Sequence, residues 1–334
     1  MARLARSVIL VAALAAGLPV LASAQAPPAD AVRSCAELSD NAARLACYDN
    51  ALAEAPPEAV QAGGKSLLDS RWELRKDSKR GAFRMRAYKP VYLAPFSWTS
   101  DRNTLPRTPN PETTMTEPLD LDSIEAKFQL SLKTKLAEGL LLDNIDLWGA
   151  YTQVSRWQVY NTENSRPFRE TNYEPELMLV MGTDVGILGW RLRMAGVGLN
   201  HQSNGRSLPQ SRSWNRVVFL IGLDHRNWAL TVRPWRRIDE NASDDDNPDI
   251  SDYMGRFDAT LVHTFKKYQA ALTVRHSLHG GDRSHGAVQL EWSFPIHGEL
   301  RGRVQLFHGY GESMIDYNHK ATWATLGLSL VEWY

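Results

Sequence analysis

Apolar and polar positions alternate along most of the chain, from about residue 83 to the C-terminus. The clearest segment spans residues 125–136 and reads EAKFQLSLKTKL. Phe128, Leu130 and Leu132 fall on one face, whereas Lys127 and Lys133 fall on the other. A period of two over this length predicts a β-strand with one apolar and one polar face, because a helix would scatter the lysines around its axis.

Segments with weaker alternation follow at similar intervals, and turn signals such as Asp143-Asn144 and His297-Gly298 separate several of them. We predict strands near 83–98, 145–159, 174–187, 189–201, 213–225, 227–237, 253–267, 269–278, 286–296, 299–310 and 321–334. With 125–136 the count is twelve. An even number of antiparallel strands predicts an all-β fold, a 12-stranded antiparallel transmembrane β-barrel. A soluble lipocalin-like barrel is the alternative, but twelve strands would leave it a large lumen to fill.

The N-terminus indicates export. Arg3 and Arg6 precede a short apolar run that ends at Ala22-Ser23-Ala24, which predicts a signal peptide at 1–24. Residues 25–80 are predicted to form a small N-terminal periplasmic extension, with a linker near 55–65 and a disulfide between Cys35 and Cys47. The predicted barrel domain is 81–334, and the chain is placed in the bacterial outer membrane.

Composition excludes two other classes. The 38 basic residues balance the 38 acidic ones, and removal of the signal peptide takes away two arginines, leaving 36 − 38 = −2. A chain without basic excess is not expected to bind nucleic acid. Hydrophobic residues make up 43% without the several long apolar runs that a polytopic helical membrane protein needs.

One polar segment, residues 199–216, lies between two apolar strands and is predicted to be a hairpin. With the turn centred on Leu208, His201 pairs with Asn215, and Ser203 shares the face of His201. This set has the parts for acyl transfer: Ser203 as nucleophile, His201 as its base and Asn215 as a neutral group that orients the imidazole. Gly205 would let a backbone N–H approach an oxyanion. The alternative is a polar extracellular loop in which His-x-Ser occurs by chance.

Several blocks, in the same order, resemble the outer membrane phospholipase A family. They are HQSNGRSLPQSRSWNR at 201–216, YTQVSRWQVYNTENSRPFRETNYEPEL at 151–177, DDNPDI at 245–250, YMG at 253–255 and GYGESMIDYN at 309–318. The resemblance covers about residue 83 to the C-terminus. It implies calcium-dependent hydrolysis of acyl esters in phospholipids and lysophospholipids, with A1 and A2 activity. It also implies that Ser203, His201 and Asn215 lie on the lipid-facing outside of the barrel.

The resemblance also implies Ca²⁺ as cofactor and a homodimer as the active form. The implied calcium ligands are the Arg206 carbonyl, Ser211, Asp246 and Ser165 of the partner subunit. Gln153 matches a dimer contact in the membrane, and a lumen-facing glutamine is the alternative. The chain departs from the family at Leu208, where an acidic residue is common. Asp244 or Asp245 is a hypothetical replacement for the missing carboxylate.

Two further hypotheses stay open at this stage. A non-enzymatic outer-membrane barrel, such as a porin or scaffold, predicts a wide lumen and no dependence on Ser203. A soluble exported esterase predicts release from the periplasm without detergent.

Overall fold

The computed structural model describes Cys35, residues 37–53 and residues 66–334. The chain divides into two compact units, Met1–Gly64 and Lys65–Tyr334. The signal peptide predicted for residues 1–24 and the linker predicted near residues 55–65 lie outside the described residues.

In the first unit, the described residues carry helix α1 (Asn41–Ala53). The carboxylate of Asp40 caps its N-terminus, since it accepts a hydrogen bond from the Ala43 N–H at 2.8 Å. Cys35 and Cys47 form a disulfide whose Cα atoms are 5.6 Å apart. The disulfide therefore ties the residues before α1 to the helix itself.

The second unit consists almost entirely of β-strands. Their bounds are β1 (Met85–Ala87), β2 (Val91–Thr99), β3 (Ile124–Ala137), β4 (Ile145–Trp157), β5 (Phe168–Ile187), β6 (Trp190–Ser203), β7 (Ser213–His225), β8 (Trp228–Ile238), β9 (Phe257–Phe265), β10 (Tyr268–His276), β11 (Gly286–His297), β12 (Leu300–Tyr310) and β13 (Lys320–Val331). The unit also contains the short helices α2 (Leu67–Trp72) and α3 (Ile250–Tyr253), with 3-10 turns at Lys76–Ser78, Pro111–Thr113 and Gly281–Arg283. Among the described residues, no helix has the length and hydropathy needed to cross a membrane.

Strands β2 to β13 each pair antiparallel with the next, and β13 pairs with β2, so that twelve strands close into a barrel. The predicted all-β, 12-stranded antiparallel barrel is confirmed. The first predicted strand, 83–98, is split into β1 and β2, which both pair with β3. Pro90 lies in the break, and because it has no N–H it cannot donate a ladder hydrogen bond there.

The two faces of the strands are sorted as the alternation predicted, with the polar face inside. Lys127, Ser131, Lys133 and Lys135 are all at most 5% exposed, whereas Leu130 on the opposite face is 46% exposed. The interior charges are paired across the barrel. Examples are Lys127–Glu312, Arg156–Glu312, Arg169–Glu125 and Arg303–Glu291. An apolar outside around a hydrogen-bonded interior is the arrangement expected in lipid.

The two ends of the barrel differ in the length of their connections. One end, here called the short-turn end, contains the start of β2, the end of β13 and two-residue turns such as 188–189 and 226–227. At the other, the long-loop end, lie connections such as 100–123, 204–212 and 239–256. Outer-membrane barrels place short turns in the periplasm and long loops outside the cell.

Residues 66–80 are here called the plug segment, and one face of its helix α2 packs inside the barrel. Leu68 and Trp72 of α2 are buried in a cluster with Trp148 and Met178. The segment was predicted to belong to the N-terminal extension at 25–80, but its buried side chains pack with the barrel. The apolar side chains of α2 find partners only within the closed barrel, so the local sequence gives no sign of their burial.

The C-terminus contributes to the same packing. Strand β13 ends at Val331, not at Tyr334 as predicted. The last residues turn inward, where Arg71 donates to the Trp333 carbonyl at 2.7 Å and the Trp333 indole donates to Glu291 at 2.7 Å. Strand β5 begins earlier than predicted, at Phe168 and not near residue 174.

Candidate active site

The hairpin of β6 and β7 brings the predicted catalytic residues together. His201 pairs with Asn215 and Ser203 with Ser213 in the antiparallel register, so the predicted pairing is confirmed. Ser203 is the last residue of β6, two residues after His201, and therefore shares its face. The site lies where β6 gives way to the loop at 204–212, at the long-loop end.

A chain of hydrogen bonds runs outward from His201. Its Nδ1 lies 2.9 Å from Oδ1 of Asn215, and Nδ2 of Asn215 donates to Oε1 of Glu240 at 2.8 Å. Sequence analysis missed Glu240. A signal exists in hindsight, because Asn215 pairs with Ile238 on β8 and Glu240 follows two residues later on the same side.

The loop after Ser203 is held by a second residue that sequence analysis missed. Asn204 is buried and accepts hydrogen bonds from the N–H groups of Arg206 and Arg212, at 3.2 and 3.0 Å. Its amide donates to Glu170 on β5 and to the Gln210 carbonyl. All four interactions fix the path of the chain that directly follows the nucleophile candidate.

Gly205 occupies a position that other residues would not fit. Its φ is +62°, and a Cβ there would lie 2.9 Å from the Tyr173 ring. Both the backbone angle and the contact require glycine. The residue is exposed and lies two positions after Ser203.

The loop carries a buried cation as well. Arg212 is fully buried and donates to the carbonyls of Pro209 and Ser211, at 3.3 and 2.7 Å. Burial lowers the pKa of the Arg212 guanidinium from its ordinary value, while nearby Tyr317 opposes the shift. These bonds hold the tip of the hairpin, on which Ser211 lies.

The site opens on the outer face of the barrel. Tyr173 pairs with both Ser203 and Gln153, and Gln153 pairs with the exposed Leu130. Paired residues share a face, so all of them point away from the interior. Gln153 is therefore not the lumen-facing residue considered as an alternative. It bonds to Tyr151 at 3.0 Å and to Ser155 at 3.2 Å within its own strand.

Two of the expected calcium ligands meet in the structure. The Ser211 hydroxyl donates to Oδ2 of Asp246 at 2.6 Å. In the adjacent acidic run, Asp245 is engaged by Arg237 at 2.6 Å, and Asp244 is exposed. Asp246 is thus the carboxylate of the run that faces the hairpin.

The other two expected ligands lie on neighbouring loops. The Arg206 side chain donates to the carbonyls of Phe168 and Arg169, which anchors the backbone of residue 206 beside Gly205. Ser165 is exposed in the β4–β5 loop, with φ +56°. In the described part of the chain there is no group of three or more His, Cys, Asp or Glu side chains that could hold a metal. One carboxylate with hydroxyl and carbonyl oxygens nevertheless fits the preference of Ca²⁺ for oxygen ligands.

The fold and the site define a class, a membrane-type β-barrel that carries a Ser/His/Asn set on its outer face. The family model described as phospholipase A1 matches residues 68–330, and the chain belongs to this family. A phospholipase A1 of Klebsiella pneumoniae is 41% identical over 248 residues, 74% of this chain and 82% of the relative.

Solved structures agree with the family match. The chain resembles outer membrane phospholipase A from Escherichia coli with a TM-score of 0.67 and 37% identity, over 75% of this chain and 95% of that one. It resembles the outer membrane phospholipase of Salmonella typhi, a dimer with bound calcium, with a TM-score of 0.67 and 36% identity. That match covers 75% of this chain and 94% of the Salmonella chain.

Proposed function

We propose that this chain is a calcium-dependent outer-membrane phospholipase, active as a homodimer, that hydrolyses acyl esters of phospholipids and lysophospholipids with A1 and A2 activity. The observation that carries the proposal is the His201–Asn215 hydrogen bond beside Ser203 on the outer face of a barrel of this family. A site on that face receives its substrate directly from the membrane. Export through a cleaved signal peptide at residues 1–24 completes the proposal.

The chemistry follows from the roles of three side chains. Oγ of Ser203 attacks the ester carbonyl carbon, and His201 takes the hydroxyl proton at Nε2. Asn215 holds the imidazole with Nδ1 protonated, which leaves Nε2 free as the base. Collapse of the tetrahedral intermediate expels the lysophospholipid alcohol, to which His201 returns the proton. Water then releases the fatty acid from Ser203 by the same steps.

The backbone N–H of Gly205 stabilises the oxyanion of each tetrahedral intermediate. Ser211, Asp246, the Arg206 carbonyl and Ser165 of the partner subunit would hold Ca²⁺. When bound, the cation supplies positive charge near the developing oxyanion. Because one ligand comes from the partner, a monomer has an incomplete site, and dimerisation controls activity.

Gln153 is proposed as the dimer contact. It lies on the outer face in a row with Tyr173 and Ser203. A polar amide in lipid is stabilised by a second polar group, and the same residue of a symmetric copy supplies one. A dimer through this face would bring two hairpins of β6 and β7 close to one another.

A non-enzymatic porin is not favoured by the barrel interior. Leu68 and Trp72 of the plug segment pack inside the barrel, and ion pairs such as Lys127–Glu312 and Arg169–Glu125 cross its interior. A diffusion pore requires a wide aqueous lumen. The outer-face residues are therefore the better guide to function.

The proposal is tested by fatty-acid release from phospholipid–detergent micelles, with calcium or with EDTA. We expect activity only with calcium, and Ser203→Ala should lower kcat by at least about 1000-fold because the nucleophile is lost. The matched control is Ser213→Ala, which removes the hydroxyl paired with Ser203 across the hairpin. Calcium-independent activity, or equal activity of Ser203→Ala and wild type, would contradict the proposal.

A further inference from the structure

Glu240 lies in the loop after β8, directly behind Asn215. Its Oε1 accepts the Asn215 amide hydrogen at 2.8 Å, and its side chain is 18% exposed. Its other oxygen, Oε2, lies 3.6 Å from the guanidinium of Arg237. The carboxylate is thus the third member of a chain that starts at His201.

The chemistry of the Asn215 amide and the Glu240 carboxylate fixes the direction of the hydrogen bond between them. An amide has a donor end and an acceptor end of nearly equal shape, so His201 alone does not fix which end faces it. An ionised carboxylate only accepts hydrogen bonds. Glu240 therefore holds Nδ2 of Asn215, and Oδ1 must point to Nδ1 of His201.

Arg237 keeps Glu240 in place. Its guanidinium bonds to Asp245 at 2.6 Å and to the carbonyls of Asn247 and Pro248 at 3.2 and 3.1 Å. The Glu240 carboxylate therefore lies beside a guanidinium that is itself held by other residues of the loop at 239–256.

We propose that Glu240 is a positioning residue for acyl transfer, acting through Asn215 on His201. It sets the orientation of the amide and so the tautomer of the imidazole. It also places one negative charge behind the neutral Asn215. In a serine hydrolase whose third catalytic residue is acidic, that charge is in direct contact with the histidine. This inference rests on the proposed function of Ser203, His201 and Asn215.

The register explains why Glu240 reaches this position. Ile238, the last residue of β8, pairs with Asn215 on β7. Side chains two residues apart along an extended chain point the same way, so Glu240 follows Ile238 onto the outer side. This placement brings Oε1 of Glu240 within hydrogen-bond distance of Nδ2 of Asn215.

The test measures kcat and KM for phospholipid hydrolysis at saturating calcium in Glu240→Ala. We expect kcat to fall about 10- to 100-fold through loss of orientation, with KM within about twofold, because substrate binding is untouched. The matched control is Asp239→Ala, the adjacent exposed carboxylate, which should keep wild-type kcat. Equal losses in both variants would overturn the proposal.

A double-mutant comparison separates positioning from a general structural effect. If Glu240 acts only through Asn215, Glu240→Ala should change kcat less than about twofold in an Asn215→Ala background. Full additivity of the two losses would overturn the proposal. So would a raised half-saturating calcium concentration in Glu240→Ala, because it would assign Glu240 to holding the loop of Asp246.

The same series separates this inference from the proposed function. Ser203→Ala with wild-type activity would remove the proposed function itself. An inactive Ser203→Ala together with a fully active Glu240→Ala would leave the function standing and remove only the role of Glu240. Native mobility of each variant on unheated gels verifies that the barrel has formed.

Discussion

Ser211 and Asp246 come from different loops and meet through one short hydrogen bond, 2.6 Å from oxygen to oxygen. In the proposed calcium site Asp246 is the one carboxylate, because position 208 holds an exposed leucine, Asp245 is engaged by Arg237 and Asp244 is exposed. A site with a single carboxylate depends strongly on that residue, since the remaining ligands are neutral oxygens.

We therefore expect Asp246→Ala to raise the half-saturating calcium concentration for hydrolysis about tenfold or more, equivalent to about 1.4 kcal/mol of binding free energy. A calcium titration of activity measures this. Asp244→Ala is the matched control, because Asp244 is exposed and its carboxylate accepts hydrogen bonds from the nearby Asn241 and Ser243. An unchanged half-saturation in Asp246→Ala would exclude Asp246 from the site.

At the residue scale, the position of the turn and the alternation of side chains along the two strands were sufficient to pair His201 with Asn215 from the sequence. The β7–β8 register places Glu240 on the side of Asn215, but the contact between them also depends on the conformation of the loop after β8. Asn204 bonds to Glu170, which comes from another strand. Spacing along one hairpin carries no information on partners that come from elsewhere in the barrel.

Helix α2 is the element that the sequence explained least. Trp72 packs edge-on against Trp148 and Tyr88, with ring centroids 5.7 and 5.8 Å apart. Nζ of Lys133 lies 2.9 Å from the centre of the Trp72 ring, a cation–π contact inside the barrel. These partners come from β3, β4 and the segment before β2, so they exist only once the barrel has closed.

We expect Trp72→Ala to destabilise the second unit by about 3–5 kcal/mol, the usual cost of removing a large buried aromatic side chain. The measurement is the temperature at which the barrel loses its folded mobility on gels. Phe83→Ala is the control, because Phe83 is 77% exposed in a neighbouring segment. The same shift in both variants would show that α2 contributes nothing specific.

Strands were predicted better than their ends. Twelve residues of strict alternation identified β3 and its polar face, and the closed barrel places the lysines of that face inside. The break at Pro90 and the inward turn after Val331 were not predicted. Both depend on the interior, where Tyr88 and Trp333 find buried partners.

At the scale of the whole molecule, the barrel is turned inside out relative to a soluble protein. Ion pairs such as Arg156–Glu312 lie inside it, and large apolar side chains such as Leu130 and Phe219 face outward. The proposed hydrolytic site on that outward face would meet lipid rather than water-borne substrate. The number of strands and their antiparallel order were predictable from the sequence, because each strand repeats the same alternation.

The central claim is that Ser203 is a nucleophile reached from the membrane. The most direct test reconstitutes the full chain in lipid vesicles with calcium, adds a long-chain alkyl fluorophosphonate and locates the modified residue by mass spectrometry. We predict modification at Ser203, with loss of labelling in Ser203→Ala and slow labelling in His201→Ala, because the base is missing. A folded barrel that is not modified at Ser203, or is modified equally without His201, would contradict the account.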